Sequence, residues 1–245
     1  MATQASEIGS RAAAPGGGVR WVSTGLTLLG LAGMLILHWM VFFWVNTEST
    51  MGVIQRVFYV HVPSMWVAFL AFGLAALCSA VYLWLGDERL DMTAVAAAEG
   101  GMIFTTVGLV TGSLWGKIAW GTFWTWEPRL TSTLLLWFIY LGYFIVRRST
   151  ENPERAKRFG AVIAIVGALD IPIIHVSVLW FRSLHPQPVV LNTNTPMNLD
   201  ADMGITLLVG VLTFTVLFLG LLGLRFGLER SRAALDVRLR RQGAA

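Results

Sequence analysis

MGITLLVGVLTFTVLFLGLLGL, residues 203–224, is 22 residues without a charge, bounded by Asp202 and Arg225. A helix crosses the hydrocarbon core of a bilayer with about 20 apolar residues, and a helix apolar on every side has no wet face to offer a soluble fold. This stretch is therefore expected to span a membrane. Working back from it, five more apolar runs of similar length lie at about 24–45, 64–85, 94–114, 130–146 and 160–181. The rest of the chain agrees: 56% of its 245 residues are hydrophobic, 13% are charged, and the mean hydropathy is +0.66. Such a balance does not suit an ordinary soluble domain. We expect an all-α integral membrane protein of six transmembrane helices over 24–226, with a disordered tail at 1–23 and a basic tail at 227–245. Short loops connect the spans, so any chemistry sits in the bundle or its loops. The opening MATQASEIGSRAAAPGGGVRW is too poor in large apolar side chains to order itself. No cleaved signal peptide is expected, because the apolar run after Arg20 is longer than a signal core and lacks a clear small-residue cleavage site.

Lys and Arg give the orientation, because cytoplasmic segments collect them. With the N-terminus inside, the inner segments hold 14 of the 18 basic residues, and the outer segments keep Arg56, Lys117, Arg129 and Arg182. Both termini are thus expected to be cytoplasmic, with three loops facing out. Orientation and anionic lipid account for the basic C-terminal run; the bilayer is the expected partner there, and no nucleic acid is. The single cysteine, Cys78, builds no disulfide and no Cys-x-x-Cys-His attachment site. The sequence around Gly116-Lys117 lacks the first glycine and the hydroxyl residue of a P-loop.

The chemistry gathers on the outer face. QRVFYVHVP places His61 at the mouth of the second span, with Pro63 expected in its first turn, where a missing N–H costs nothing. FRSLHPQP places His185 just past the fifth span, where Pro186 favours an extended backbone. Between them in sequence, Trp115–Thr131 carries four of the chain's 11 tryptophans: Trp115, Trp120, Trp124 and Trp126. If the middle of that loop is helical, Trp120, Phe123, Trp124 and Glu127 share one face and make an amphipathic aromatic shelf. The plain alternative is the interfacial belt where tryptophans collect regardless of function. Arg56, Arg129 and Arg182 stand near these elements. Aromatic walls, two imidazoles and cations together suit a large planar apolar ligand with an iron and two carboxylates, a haem; snorkelling from helix ends is the competing account of the arginines. His38 and His175 lie in the outer halves of their spans and read as hydrogen-bonded bundle histidines. Asp170, near the middle of the fifth span and two residues before Pro172, reads equally as a structural or a functional carboxylate.

FYVHVPSMW, WGTFWTWEPRLTSTLLLWFIYLGY and VSVLWFRSLHPQP resemble the haem exporter protein C (CcmC) family of the cytochrome c maturation system, over residues ~30 to ~225. The resemblance implies His61 and His185 as axial ligands of a non-covalent haem b, and a tryptophan-rich outer loop, 115–129, that contacts it. It implies a bacterial inner membrane with the site facing the periplasm, and handover to a haem chaperone, CcmE. The ABC-transporter subunits CcmA and CcmB and the small protein CcmD are the further implied partners. The chain then acts as a non-hydrolytic haem-transfer component rather than an enzyme. The family loop usually reads W-W-x-W-D; here Phe123 replaces a tryptophan, and Glu127 with Pro128 replaces the aspartate and its neighbour. Two other functions stay open to the residues: a b-type membrane cytochrome, and a solute permease, which the sparse polar lining disfavours.

Overall fold

The computed structural model describes residues 17–181, 184–185 and 199–243. The elements are α1 (Gly17–Trp39), continued by a π-helical turn at Met40–Trp44; a 3-10 turn, Val53–Val57, that leads into α2 (Phe58–Leu85); α3 (Glu88–Trp120); α4 (Pro128–Ser149); α5 (Pro153–Ala168); α6 (Asp170–Trp180); and α7 (Ala201–Gly243). Among the described residues the only β pairing is an isolated bridge between Glu48 and Gly52. Six helical segments are long and apolar enough to cross a membrane: Gly18–Trp44, Val53–Leu85, Glu88–Trp120, Pro128–Ser149, Pro153–Trp180 and Ala201–Val237. The helical state now begins at Gly17, inside the segment expected to be a tail, and α7 runs through most of the expected C-terminal tail. Residues 1–16 lie outside the described part.

Short local signals fix the helix ends. Asp87 caps α3 by accepting the Arg89 N–H at 2.9 Å, and Asn152 caps α5 by accepting that of Arg155 at 3.1 Å. Pro128 and Pro153 sit in the first turns of α4 and α5. Gly86 and Gly121 close α2 and α3 in the left-handed region, at φ 69° and 80°. In the first outer loop the Glu48 carboxylate accepts from the Met51 and Thr50 N–H groups, which hold its pKa below the usual carboxylate value.

The first and last spans pack together along small residues. A Cβ at Gly30 would stand 2.6 Å from Leu217 Cα, and one at Gly223 would stand 2.1 Å from Ser23 Oγ. Such close backbone approach drives helix association in lipid, where burial from water contributes nothing. The second core lies among α2, α3, α4, α5 and α6. There Phe72 stacks on Tyr140 at 3.8 Å, and the Tyr140 O–H donates toward the Phe72 and Ala164 carbonyls at 3.3 and 3.1 Å.

Charges at the helix ends near the termini pair across helices. Arg147 of α4 holds Asp91 of α3 through two bonds at 2.7 and 2.8 Å. Lys157 of α5 reaches Glu88 at 2.6 Å, and Arg225 of α7 holds Glu99 of α3. Glu99, one of the few carboxylates within a span, therefore has a fixed partner. The wide exposed aromatics, among them Trp21, Trp84, Trp126 and Trp180, suit the two interfacial belts.

Two spans depart from the simplest expectation. The 3-10 turn lets α2 start at Phe58, so Pro63 lies inside the helix rather than in its first position. The Tyr59 carbonyl thereby loses its helical donor, and α7 approaches there: a Cβ at Gly210 would lie 3.1 Å from Pro63 Cγ and 3.4 Å from Tyr59 O. The fifth span is broken at Leu169, leaving Asp170 at the start of α6, buried and with Oδ2 unpartnered.

Candidate functional site

Because α2 begins early, His61 is held in its first turn and faces α3 rather than hanging from a loop. Its Nδ1 lies 3.0 Å from the Gly108 carbonyl and 3.1 Å from Thr111 Oγ1. A carbonyl only accepts, so Nδ1 carries the proton and donates. The Thr111 O–H is itself directed at the Val107 carbonyl at 2.7 Å, which leaves a hydroxyl lone pair toward the imidazole. The remaining ring nitrogen, Nε2, then keeps its lone pair, the tautomer required of a metal-ligating histidine. A helical glycine makes room for the ring: a Cβ at Gly112 would stand 2.9 Å from His61 Cε1.

The walls are aromatic. Trp115 meets His61 edge to face at 5.9 Å, interplanar angle 80°, and Phe58 at 6.0 Å. Past Trp120 the chain departs from the expected shelf. Gly121 ends α3, and residues 121–127 are non-helical until Pro128 starts α4, so Trp120, Phe123, Trp124 and Glu127 do not share a helical face. The reason is local: a residue at φ 80° cannot continue a right-handed helix, and Pro128 supplies no N–H to carry one through. In place of a helix the loop is tied by its own polar groups. Lys117 Nζ donates to the Gly121 carbonyl at 3.0 Å and lies 5.4 Å from the Phe123 ring, while Thr122 Oγ1 donates to the Trp124 carbonyl at 3.0 Å. Trp124 and Trp126 meet edge to face at 5.8 Å, Trp126 being 76% exposed. Lys117 is therefore committed to closing the loop.

The third outer segment is joined to this loop. The Leu184 N–H donates to Glu127 Oε2 at 3.0 Å, so the carboxylate that replaces the family aspartate holds the residue next to His185. His185 is half-buried, and Arg129 follows two residues after the Glu127 that holds its neighbour Leu184. Arg182 and Pro186 lie outside the described residues. Arg56 turns the other way, toward the end of the first span: its guanidinium lies 5.8 Å from the Phe42 ring and donates at 3.4 Å to the Phe42 carbonyl. His38 and His175 each spend Nδ1 on a carbonyl of their own helix, Met34 at 2.6 Å and Ile171 at 3.0 Å. His38 is exposed rather than enclosed by the bundle, while the half-buried His175 packs on Phe69 at 5.0 Å.

A planar dicarboxylate fits what this site leaves open. Buried side-chain atoms without a protein partner include Trp115 Nε1, Trp124 Nε1, Thr125 Oγ1 and Arg129 Nη1, all within the 115–129 segment. Buried donors rarely stay unpaired, so acceptor oxygens of a ligand are what this donor set calls for. Among the described residues no group of three or more His, Cys, Asp and Glu side chains converges; two imidazoles suit an iron already held by four ring nitrogens. Sequence reasoning missed Thr111 and Gly112, for nothing in a run of small residues tells which of them faces an imidazole.

The Gly112 contact is directly testable. Gly112→Leu should push the His61 ring from its seat, since forced packing of this kind costs about 1–3 kcal/mol and moves side chains off their rotamers. The expected outcome is a folded protein with weakened haem retention and an altered axial-ligand spectrum, while Gly204→Leu, where a Cβ meets nothing within 4 Å, changes neither.

Comparison with known proteins gives the family. The family model described as Heme exporter protein C matches residues 11–239. Heme exporter protein C of Bradyrhizobium diazoefficiens is 40% identical over 170 residues, 69% of this chain and 64% of that protein. The protein of that name from Rhodobacter capsulatus is 32% identical over 224 residues, 90% of each chain, and that of Haemophilus influenzae is 30% identical over 174 residues, 71% of this chain and 70% of the relative. An extent of match that includes every span, both outer histidines and the tryptophan loop leaves one assignment: the chain belongs to the heme exporter protein C family.

Proposed function

We propose that this protein binds a non-covalent haem b at the outer, periplasmic face of a bacterial inner membrane and passes it to a haem chaperone, CcmE, during cytochrome c maturation. The coarser role, haem handling for cytochrome c maturation, follows from the family. The observation that carries the finer reading is the His61 arrangement: Nδ1 is committed to Gly108, Nε2 is left with its lone pair, and the Trp115 ring stands edge to face beside it. His61 and His185 serve as axial ligands. Trp115, Trp120, Phe123, Trp124 and Trp126 contact the porphyrin or receive the partner, and Glu127 positions the His185 segment. Arg129 seats a propionate, with Arg182 and Arg56 as further cations for propionate or partner. Of these, Arg56 is already engaged on Phe42 and contributes least to haem retention. Bound haem supplies the iron and the two carboxylates; the chain holds, orients and exposes them. CcmA, CcmB and CcmD complete the proposed assembly, in which both termini face the cytoplasm.

The visible spectrum of the membrane protein purified from haem-replete cells tests this reading: low-spin bis-histidine bands are expected, and a colourless protein would remove it. Arg129 separates the propionate role from snorkelling. A guanidinium holds a carboxylate through two parallel bonds that an ammonium cannot reproduce. Arg129→Lys should therefore lower haem retention, and Arg129→Gln should lower it further, with the axial-ligand bands kept. Equal haem content in Arg, Lys and Gln proteins assigns Arg129 to the interface alone.

A further inference from the structure

α7 is too long for its span. Its 43 residues extend about 65 Å at 1.5 Å per residue, against a hydrocarbon core of about 30 Å. The uncharged run 203–224 covers the core, so the helix from Arg225 onward projects into water on the side that holds the termini. At its base Arg225 is tied to Glu99 of α3 and to Glu229. Beyond that point the hydrogen bonds of the described side chains are internal: Ser231 Oγ to the Gly227 carbonyl at 2.9 Å, and Arg232 to Glu229 at 3.2 Å. A helix of this length standing alone in water is marginal, and packing of an apolar face is what ordinarily sustains it.

That face is present and bare. Leu228, Leu235 and Leu239 follow one another at spacings of seven and four, within a stripe about 40° wide at 100° per residue. They are 45%, 55% and 55% exposed. Charge decides what covers them. Residues 225–241 hold six arginines, at 225, 230, 232, 238, 240 and 241, against Glu229 and Asp236, a net of +4. A second copy would bring the same excess against it. The membrane surface would require the helix to bend, whereas α7 is one helix from Ala201 to Gly243.

We propose that the projecting part of α7 is a docking helix, and that its occupant is an acidic amphipathic helix of a partner protein on the side of the membrane that carries the termini. The leucine stripe supplies the apolar contact. Arg232, at the edge of the stripe by helical register, and the net charge of +4 along 225–241 set the preference for acidic flanks. The inference rests on the membrane reading of the fold and not on the haem site.

The test places the photo-crosslinker benzoylphenylalanine at position 235, on the stripe, and separately at position 236, off it, in the full chain in its native membranes. The expected result is an adduct from position 235 alone, in which the cross-linked peptide of the partner carries a net negative charge. The double charge reversal Arg232→Glu/Arg238→Glu should cut that adduct several-fold while the haem spectrum stays unchanged. An adduct with a second copy of this chain, an adduct with lipid, equal adducts from both positions, no adduct at all, or an adduct indifferent to charge reversal overturns the proposal.

Discussion

Substituting His61 by Ala should leave the purified protein without its haem and stop cytochrome c maturation in cells, and His185→Ala should do the same. An axial position on haem iron is filled by a lone pair at bonding distance. Fixing the proton on Nδ1 through the Gly108 carbonyl leaves a lone pair on His61 Nε2, which the proposed function would use. Alanine removes the ligand but leaves a cavity the size of an imidazole, lined by Trp115, Gly108 and Gly112. Free imidazole in the growth medium or buffer should therefore restore haem to either single variant. Thr111→Val tests the support of the ligand: loss of a partner that orients a ligating histidine typically costs roughly 10–100-fold in affinity. The lower end is expected here, because Gly108 remains. His38→Ala and His175→Ala should keep haem, since both rings already bond within their own helices. Full occupancy with an unchanged spectrum in the His61/His185 double variant would end the assignment.

The second large effect lies at the opposite end of the bundle. Arg147→Ala should destabilise the protein by about 3–5 kcal/mol, because it leaves the carboxylate of Asp91 without its cation in a site from which water is largely removed. The two side chains are 16% and 8% exposed and are joined by a bidentate pair of bonds at 2.7 and 2.8 Å. The guanidinium also lies 5.4 Å from the Tyr143 ring. Asp91→Ala should cost a similar amount by stranding the arginine. The double replacement Asp91→Leu/Arg147→Met removes both charges together and should recover most of the loss. Thermal melting in detergent, followed on the helical circular dichroism signal, reads all three. Single variants that melt with the parent would show that the pair contributes nothing. The haem spectrum of any folded fraction should be unaltered, since these residues lie at the far ends of α3 and α4 from the histidines.

Much of this was legible in the chain itself, for reasons that differ by element. The spans are dictated residue by residue: a run such as 203–224 has no stable alternative to crossing a bilayer, so length and apolarity determine helix number before any packing is known. His61 and His185 stood out as candidates because their neighbours are distinctive, each lying within two residues of a proline at the end of a span. The tryptophan loop was readable as a composition but not as a shape. A helical spacing of Trp120, Phe123, Trp124 and Glu127 invites a shared face, yet one glycine at φ 80° ends the helix first.

What the sequence by itself determined is the solvent and the cast: six apolar spans, the lopsided distribution of Arg and Lys, and connecting segments that carry His61, His185 and four tryptophans but few cations. Only the tertiary structure decided who meets whom. It turned Arg56 toward Phe42, gave Glu127 the Leu184 N–H, and set the proton of His61 on Nδ1 by placing Gly108 opposite it. The physical reason is one of range. Crossing a membrane depends on the summed transfer energy of a local run, which any reader of the chain can add up, whereas a tautomer or a salt-bridge partner depends on a contact of about 3 Å between residues as distant in sequence as positions 61 and 108.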